Sequence, residues 1–258
     1  HTLGPWKAAA QFIEMCKKDD LIQDGLKIIV SLYGSLSLTG RGHATDLAVV
    51  MGLAGYDPVT VDTSAIPTII EAIKTDKKLK IDAISIDFDP ESDIRFENEF
   101  LPYHANGMIF IAEQTNGNVF SKTFYSIGGG FIIWEGEEMS SFENAPDHPF
   151  PIQNSIELLR YCQKNQKCIS EIVLANELID RSIDDIEQKL MLIWQVMLQS
   201  IYIGCHTPGY LPGALRVKRR APEVINKLMP NTNYTDANTW IEAIRHLPFD
   251  FQMVMKLT

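Results

Sequence analysis

The sequence predicts an α+β fold: an N-terminal mixed or antiparallel sheet with helices on one face, followed by an all-helical region. Three observations predict this. Strand and helix patterns mix from His1 to about Glu138. Asn116-Gly117 stands between two strand-like runs, and both residues tolerate the positive φ of a type I′ hairpin turn. Beyond an acidic, proline-containing stretch at Glu135–Phe150, strand signals vanish. The expected division is a sheet domain over residues 1–138, a linker over 139–153 and a helical domain over 154–258.

The elements follow in order. Pro5–Cys16 places a proline near the first helical position and Ala9, Phe12, Ile13 and Cys16 at helical spacing. Leu26–Tyr33 is apolar and bounded by turn residues, the pattern of a buried strand. Gly34–Asp46 (GSLSLTGRGHATD) is expected as one turn, and Leu47–Leu53 as a helix capped by Thr45 or Asp46. Pro67–Ile73 is an amphipathic helix. Lys80–Phe88, Asp93–Glu97, Met108–Gln114, Val119–Ser126 and Phe131–Trp134 are expected strands. Helices are then expected over Asn154–Cys162, Ser170–Ile179, Ile183–Tyr202, Pro222–Met229 and Asp236–His246, the last capped by Asp236. Leu190, Ile193, Trp194, Met197 and Ile201 form an apolar stripe on the longest.

Composition narrows the function. A net charge of −10 argues against nucleic acid as a partner, because phosphate binding needs clustered cations. The one basic run, Arg216–Arg220, is short and fits a solvated or carboxylate-paired helix start. No apolar run reaches the length of a membrane span, so no membrane partner is expected. Cys16, Cys162, Cys168 and Cys205 are scattered, with neither zinc nor cluster spacing, so no metal ligand is assigned to this chain. Reduced thiols and the lack of a leader pattern point to the cytoplasm.

GSLSLTGRGHATD carries the densest chemistry. It delivers the His43 imidazole beside free backbone N–H groups at a helix start, a place suited to a carboxylate. A tight glycine turn with a surface histidine accounts for the same residues. Ser126–Gly130 (SIGGG) lies between two strands and lacks the Lys-Ser/Thr of a P-loop. It is either a glycine bulge approached closely by other backbone, or a grip in which Ser126 and the N–H groups of Gly128, Gly129 and Gly130 hold a small anion. Asn106 in HANGM is either a turn former or a ligand for an amino-acid headgroup.

Five segments, HTLGP at His1–Pro5, GSLSLTGRGHATD, YSIGGGF at Tyr125–Phe131, SEIVLANE at Ser170–Glu177 and YLPGALRVKRRA at Tyr210–Ala221, occur in the order seen in the iron–sulfur-dependent L-serine dehydratases of bacteria. The chain resembles that family from His1 to about Lys227. The resemblance implies an L-serine ammonia-lyase that converts L-serine to pyruvate and ammonia and acts as a cytoplasmic homodimer. It implies a [4Fe–4S] cluster whose open iron binds the serine hydroxyl, with ligands expected outside this chain. His43 and His1 are the implied catalytic residues; Thr2, Asn106, Ser126, Gly128, Gly129 and Gly130 are the implied substrate contacts. The family's serines before His-Thr and its later cysteine-bearing loops are absent from the sequence, so a fragment incomplete at both ends is expected. Ala214 replaces a glycine of the family pattern, and Leu247–Thr258 falls outside its register. The resembled sheet domain is also similar to the allosteric substrate-binding domain of some phosphoglycerate dehydrogenases. The alternative is therefore an amino-acid-binding regulatory module without catalysis.

Overall fold

The computed structural model describes residues 1–136, 148–211, 216–229 and 234–244. The chain divides into two compact units, the first built on His1–Glu138. Residues 139–147 of the expected linker lie outside the described residues, as do Pro212–Leu215, with Ala214, and Leu247–Thr258.

The first unit is α+β. A five-stranded sheet has the order β4 (Ile94–Phe96), β1 (Lys27–Leu32), β5 (Gly107–Glu113), β6 (Val119–Gly128) and β7 (Phe131–Trp134). The sheet is mixed, since β1 runs parallel to β4 and antiparallel to β5. Helix α1 (Leu3–Lys18) lies against β5, β6 and β7 and crosses α3 (Thr45–Leu53). The alternation of strand side chains decides which face meets it. Val30 pairs with Phe110 and Ala112 with Phe120, putting these residues on one face. Phe12 of α1 stacks there on Phe110 at 5.2 Å and on Phe120 at 5.8 Å. Gly52 of α3 lets the two helices close up, because a Cβ there would lie 2.3 Å from the Trp6 carbonyl oxygen.

Several local expectations are corrected. Gly34–Asp46 is not one turn: it forms α2 (Gly34–Leu38), a 3-10 turn (Gly40–His43) and the start of α3. Thr45 and Asp46 do not cap α3 but lie inside it. The capping position is Ala44, at φ 54°, with no side-chain cap bond. Lys80–Phe88 is not one strand: β2 (Lys78–Ile81) and β3 (Ile84–Asp87) form a separate hairpin that turns at Asp82, at φ 52°. Asp-Ala lacks the glycine or asparagine that marks such a turn in sequence. The Asn116-Gly117 hairpin exists, but only Gly117 has positive φ (89°), so the turn is not type I′. Between these elements lie α4 (Ile66–Asp76) and one turn of helix, α5 (Pro90–Asp93), whose N-cap Asp89 accepts from Glu91 N.

The second unit is helical among its described residues: α6 (Ser155–Asn165), α7 (Ile169–Glu177), α8 (Ile183–His206), α9 (Ala221–Leu228) and α10 (Ala237–Ile244). Asp236 caps α10, its Oδ1 accepting from Asn238 N and Thr239 N at 2.9 Å each. The basic run leads into α9 with Lys218 paired to Glu223, the carboxylate-paired start expected. The α8 stripe behaves differently from a core stripe. Ile201 packs against a small core of Leu198, Ile225 and Trp240, whereas Leu190, Ile193, Trp194 and Met197 are exposed within the unit. Contacts with α9 and α10 bury residues only in the C-terminal half of α8.

Candidate active site

The strand registers bring distant segments to one end of the sheet. Leu32 pairs with Met108 and Met108 with Phe124, so the end of β1, the start of β5 and the end of β6 are in line. Tyr33 N donates to Gly107 O at 2.9 Å and Ser126 N to Asn106 O at 3.0 Å. The chain leaves this row into GSLSLTGRGHAT from β1, into SIGGG from β6, and arrives through HANG at β5.

The chain start is bound to the GRGHAT segment by reciprocal hydrogen bonds. Thr2 Oγ1 donates to His43 O at 2.9 Å, and Thr45 Oγ1 donates to His1 O at 2.7 Å. The buried Thr45 hydroxyl thus serves the chain start instead of capping its own helix. His1 Nδ1 lies 2.9 Å from Thr39 Oγ1, and the His1 and His43 rings meet edge to face at 5.1 Å. His1, Thr2 and His43 are all exposed among the described residues.

On its other side the same segment touches the glycine turn. A Cβ at Gly4 would lie 2.1 Å from Ser126 Oγ, and one at Gly130 would lie 2.4 Å from Leu3 Cδ2. Asn106 Nδ2 donates to Ser126 O at 3.2 Å, and Ser35 N donates to Ala105 O at 2.9 Å. Every sequence-expected site residue therefore belongs to one connected group. His1, Thr2 and His43 meet directly, and Asn106, Ser126 and the glycines join them across Leu3 and Gly4.

The glycine run also has conformational reasons of its own. Gly128 pairs with Phe131, leaving Gly129 (φ 60°) and Gly130 (φ 78°) as a two-residue turn, the type I′ arrangement. Gly128 (φ 105°) ends an irregularity in register that starts at Ser126. The bulge and close approach considered from sequence are both present. The start of α3 carries its own carboxylate, Asp46, which complements the positive helix end. Burial, then the nearby Glu135 carboxylate, push the Tyr125 phenol up from its ordinary value, and its ring packs on Tyr103 at 4.8 Å.

Sequence reasoning missed Thr39 and Thr45. Both hold His1 from about forty residues away, and a lone threonine in a loop gives no such signal.

The four cysteines do not fit a [4Fe–4S] cluster. Cys16 and Cys205 are buried in helices of different units, Cys162 is half-buried and Cys168 is exposed. Burial, aided at Cys16 by Asp19, pushes these two buried thiols up to about 12 and about 11, against the thiolate form a metal needs. Among the described residues no three His, Cys, Asp or Glu side chains gather as a metal site. No helix among them is long and apolar enough to cross a membrane.

Residues 1–137 match the family described as serine dehydratase beta chain. The chain belongs to that family. Among curated proteins, this beta-chain family member is 42% identical over 228 residues to L-serine dehydratase 1 of Escherichia coli, covering 86% of this chain and 49% of that protein. It is 39% identical to the L-serine dehydratase of Haemophilus influenzae, over 92% of this chain and 52% of the relative. With the Streptomyces coelicolor L-serine dehydratase it shares 36% identity, over 88% and 51%. The chain thus spans about half the length of the curated relatives it matches, and the likeness runs past the sheet unit into the helices.

Proposed function

We propose that this chain supplies substrate-binding and proton-transfer groups of an L-serine ammonia-lyase. The observation that carries the reading is the convergence of HTLG, GRGHAT, HANG and SIGGG at one sheet end, in a chain whose relatives are named L-serine dehydratase. Removal of the serine α-proton and loss of the hydroxyl as water leave aminoacrylate, which hydrolyses to pyruvate and ammonia. One of the two paired imidazoles, His43 or His1, takes the α-proton, since an imidazole is both a competent base and a competent acid near neutral pH. Ser126 and the N–H groups of Gly128, Gly129 and Gly130 receive the substrate carboxylate, and Thr2, whose hydroxyl proton goes to His43 O, turns that oxygen as an acceptor to the substrate ammonium. Asn106, its Nδ2 engaged by Ser126 O, turns an acceptor to the substrate ammonium.

The fuller reading is a cytoplasmic homodimer with a [4Fe–4S] cluster on ligands outside this chain. The family resemblance supports it, and the scattered cysteines here are consistent with ligands elsewhere. No step is assigned to such a cluster, because the described residues of this chain do not hold one.

The test is anaerobic reconstitution of the complete protein with iron and sulfide, followed by a pyruvate assay. Serine-dependent pyruvate is expected, falling by about a hundredfold or more when the working imidazole is replaced by alanine. The 258-residue chain alone is expected to be inactive. Full activity in both His43→Ala and His1→Ala would remove the proton-transfer assignment. Serine binding without turnover in the complete protein would replace the lyase reading with the regulatory one.

A further inference from the structure

The hydrogen bonds around His1 specify where its proton sits. Ser35 O can only accept, so its 2.8 Å contact with Thr39 Oγ1 takes the single proton of that hydroxyl. Toward His1 the same oxygen must then accept, and Nδ1, 2.9 Å away, must carry the hydrogen. Thr39 is held for this task at the end of α2, where its backbone N–H also donates to Ser35 O, at 3.2 Å. Behind the ring, the His1 carbonyl is bound by the fully buried Thr45.

We propose that Thr39 is a positioning residue that fixes neutral His1 as the Nδ1–H tautomer, leaving the Nε2 lone pair as the basic nitrogen of the site. Among the described residues the His43 ring nitrogens make no hydrogen bond, so nothing comparable selects its tautomer. Of the two paired imidazoles, His1 is the one prepared as a base. A protonated imidazole also donates from Nδ1. The Thr39 contact therefore serves both His1 and its conjugate acid, and His1 gains a proton at Nε2 without rearranging. The chemical use of that nitrogen rests on the lyase reading; the tautomer does not.

The experiment has two arms that separate these claims. In the first, two-bond 1H–15N correlation spectra of the 258-residue chain labelled at its 6 histidines identify each tautomer, with His1 assigned from His1→Gln. The expected result is an Nδ1–H pattern for neutral His1, kept in Thr39→Ser and lost in Thr39→Val while the amide spectrum is otherwise retained. An Nε2–H pattern in the unaltered chain, or a tautomer indifferent to Thr39→Val, overturns the proposal. In the second arm, Thr39→Val in the complete enzyme lowers kcat by about ten- to a hundredfold, the range seen when a working histidine loses its outer partner. KM stays nearly constant and Thr39→Ser restores kcat. An unchanged kcat in Thr39→Val overturns the assignment of His1 as the prepared base. The expected tautomer in a complete protein that makes no pyruvate upholds the Thr39 assignment and removes the lyase reading instead.

Discussion

Gly4→Ala tests whether contact between the chain start and the SIGGG turn builds the site. Gly4 is buried in the first turn of α1 and lies outside the left-handed region, so only space opposes a side chain. The added methyl would lie 2.1 Å from Ser126 Oγ, 2.7 Å from Ser126 Cβ and 3.6 Å from Ser126 Cα. Relaxed carbon contacts are about 3.5–4.0 Å, so rotating the hydroxyl away leaves the Cβ clash, and α1 must move off β6 by about 1 Å. Such overpacking costs about 1–3 kcal/mol, offset by up to about 1 kcal/mol of helix propensity gained on replacing glycine. The net loss is about 1 kcal/mol, a fall in melting temperature of about 4 °C. Ser126→Gly removes the two clashing atoms, leaving the backbone at ordinary contact distance. The double variant is therefore expected to recover, with a coupling of about 1 kcal/mol in a double-mutant cycle read by urea denaturation. In the complete enzyme the single variant is expected to lose more activity than its stability loss explains, because His1 and Thr2 move with the helix start. Additive single effects, or an undisturbed Gly4→Ala protein, would refute the packing argument.

Thr45→Val keeps the shape of a fully buried side chain but removes the bond to His1 O. It is expected to cost about 1 kcal/mol of stability, measured by denaturant titration, together with lyase activity in the complete protein. The Cys16 thiol makes the sheet unit sensitive to alkali. Its value rises from 9.0 to about 12 in the fold, so the neutral thiol is the favoured form there. The stability it contributes is fully present below pH 9.0 and is lost as pH rises from there toward about 12. Urea midpoints measured across that window are expected to fall more steeply for the unaltered chain than for Cys16→Ala, and equal slopes would contradict this.

Much of the fold is legible in the residues because it rests on local patterns. The short runs rich in β-branched and aromatic residues at Met108–Gln114 and Val119–Ser126 mark β5 and β6, and the helical spacing of Phe12, Ile13 and Cys16 marks α1. Errors fall where a local signal was weak or had another use. Asp82-Ala83 turns the chain without glycine or asparagine, since Asp82 accepts the left-handed region that glycine normally fills. Thr45 reads as a cap because threonine oxygens favour that place, yet its hydroxyl is bound to His1 O. The α8 stripe reads as core, but four of its five residues stay exposed, since the described helices packed against α8 reach only Ile201 of the stripe.

Local patterns along the chain establish the α+β class and most strands and helices, because periodicity is written within a dozen residues. The four segments proposed to carry chemistry are marked by the family resemblance together with their glycine, histidine and asparagine content. That those segments meet follows from the folded arrangement, because strand register sets which strand ends lie side by side, and pairing partners are far apart in sequence. That arrangement alone decided the state of His1 as well, since Thr39 and Thr45 reach that residue across folded space, through hydrogen bonds between groups 38 and 44 positions apart.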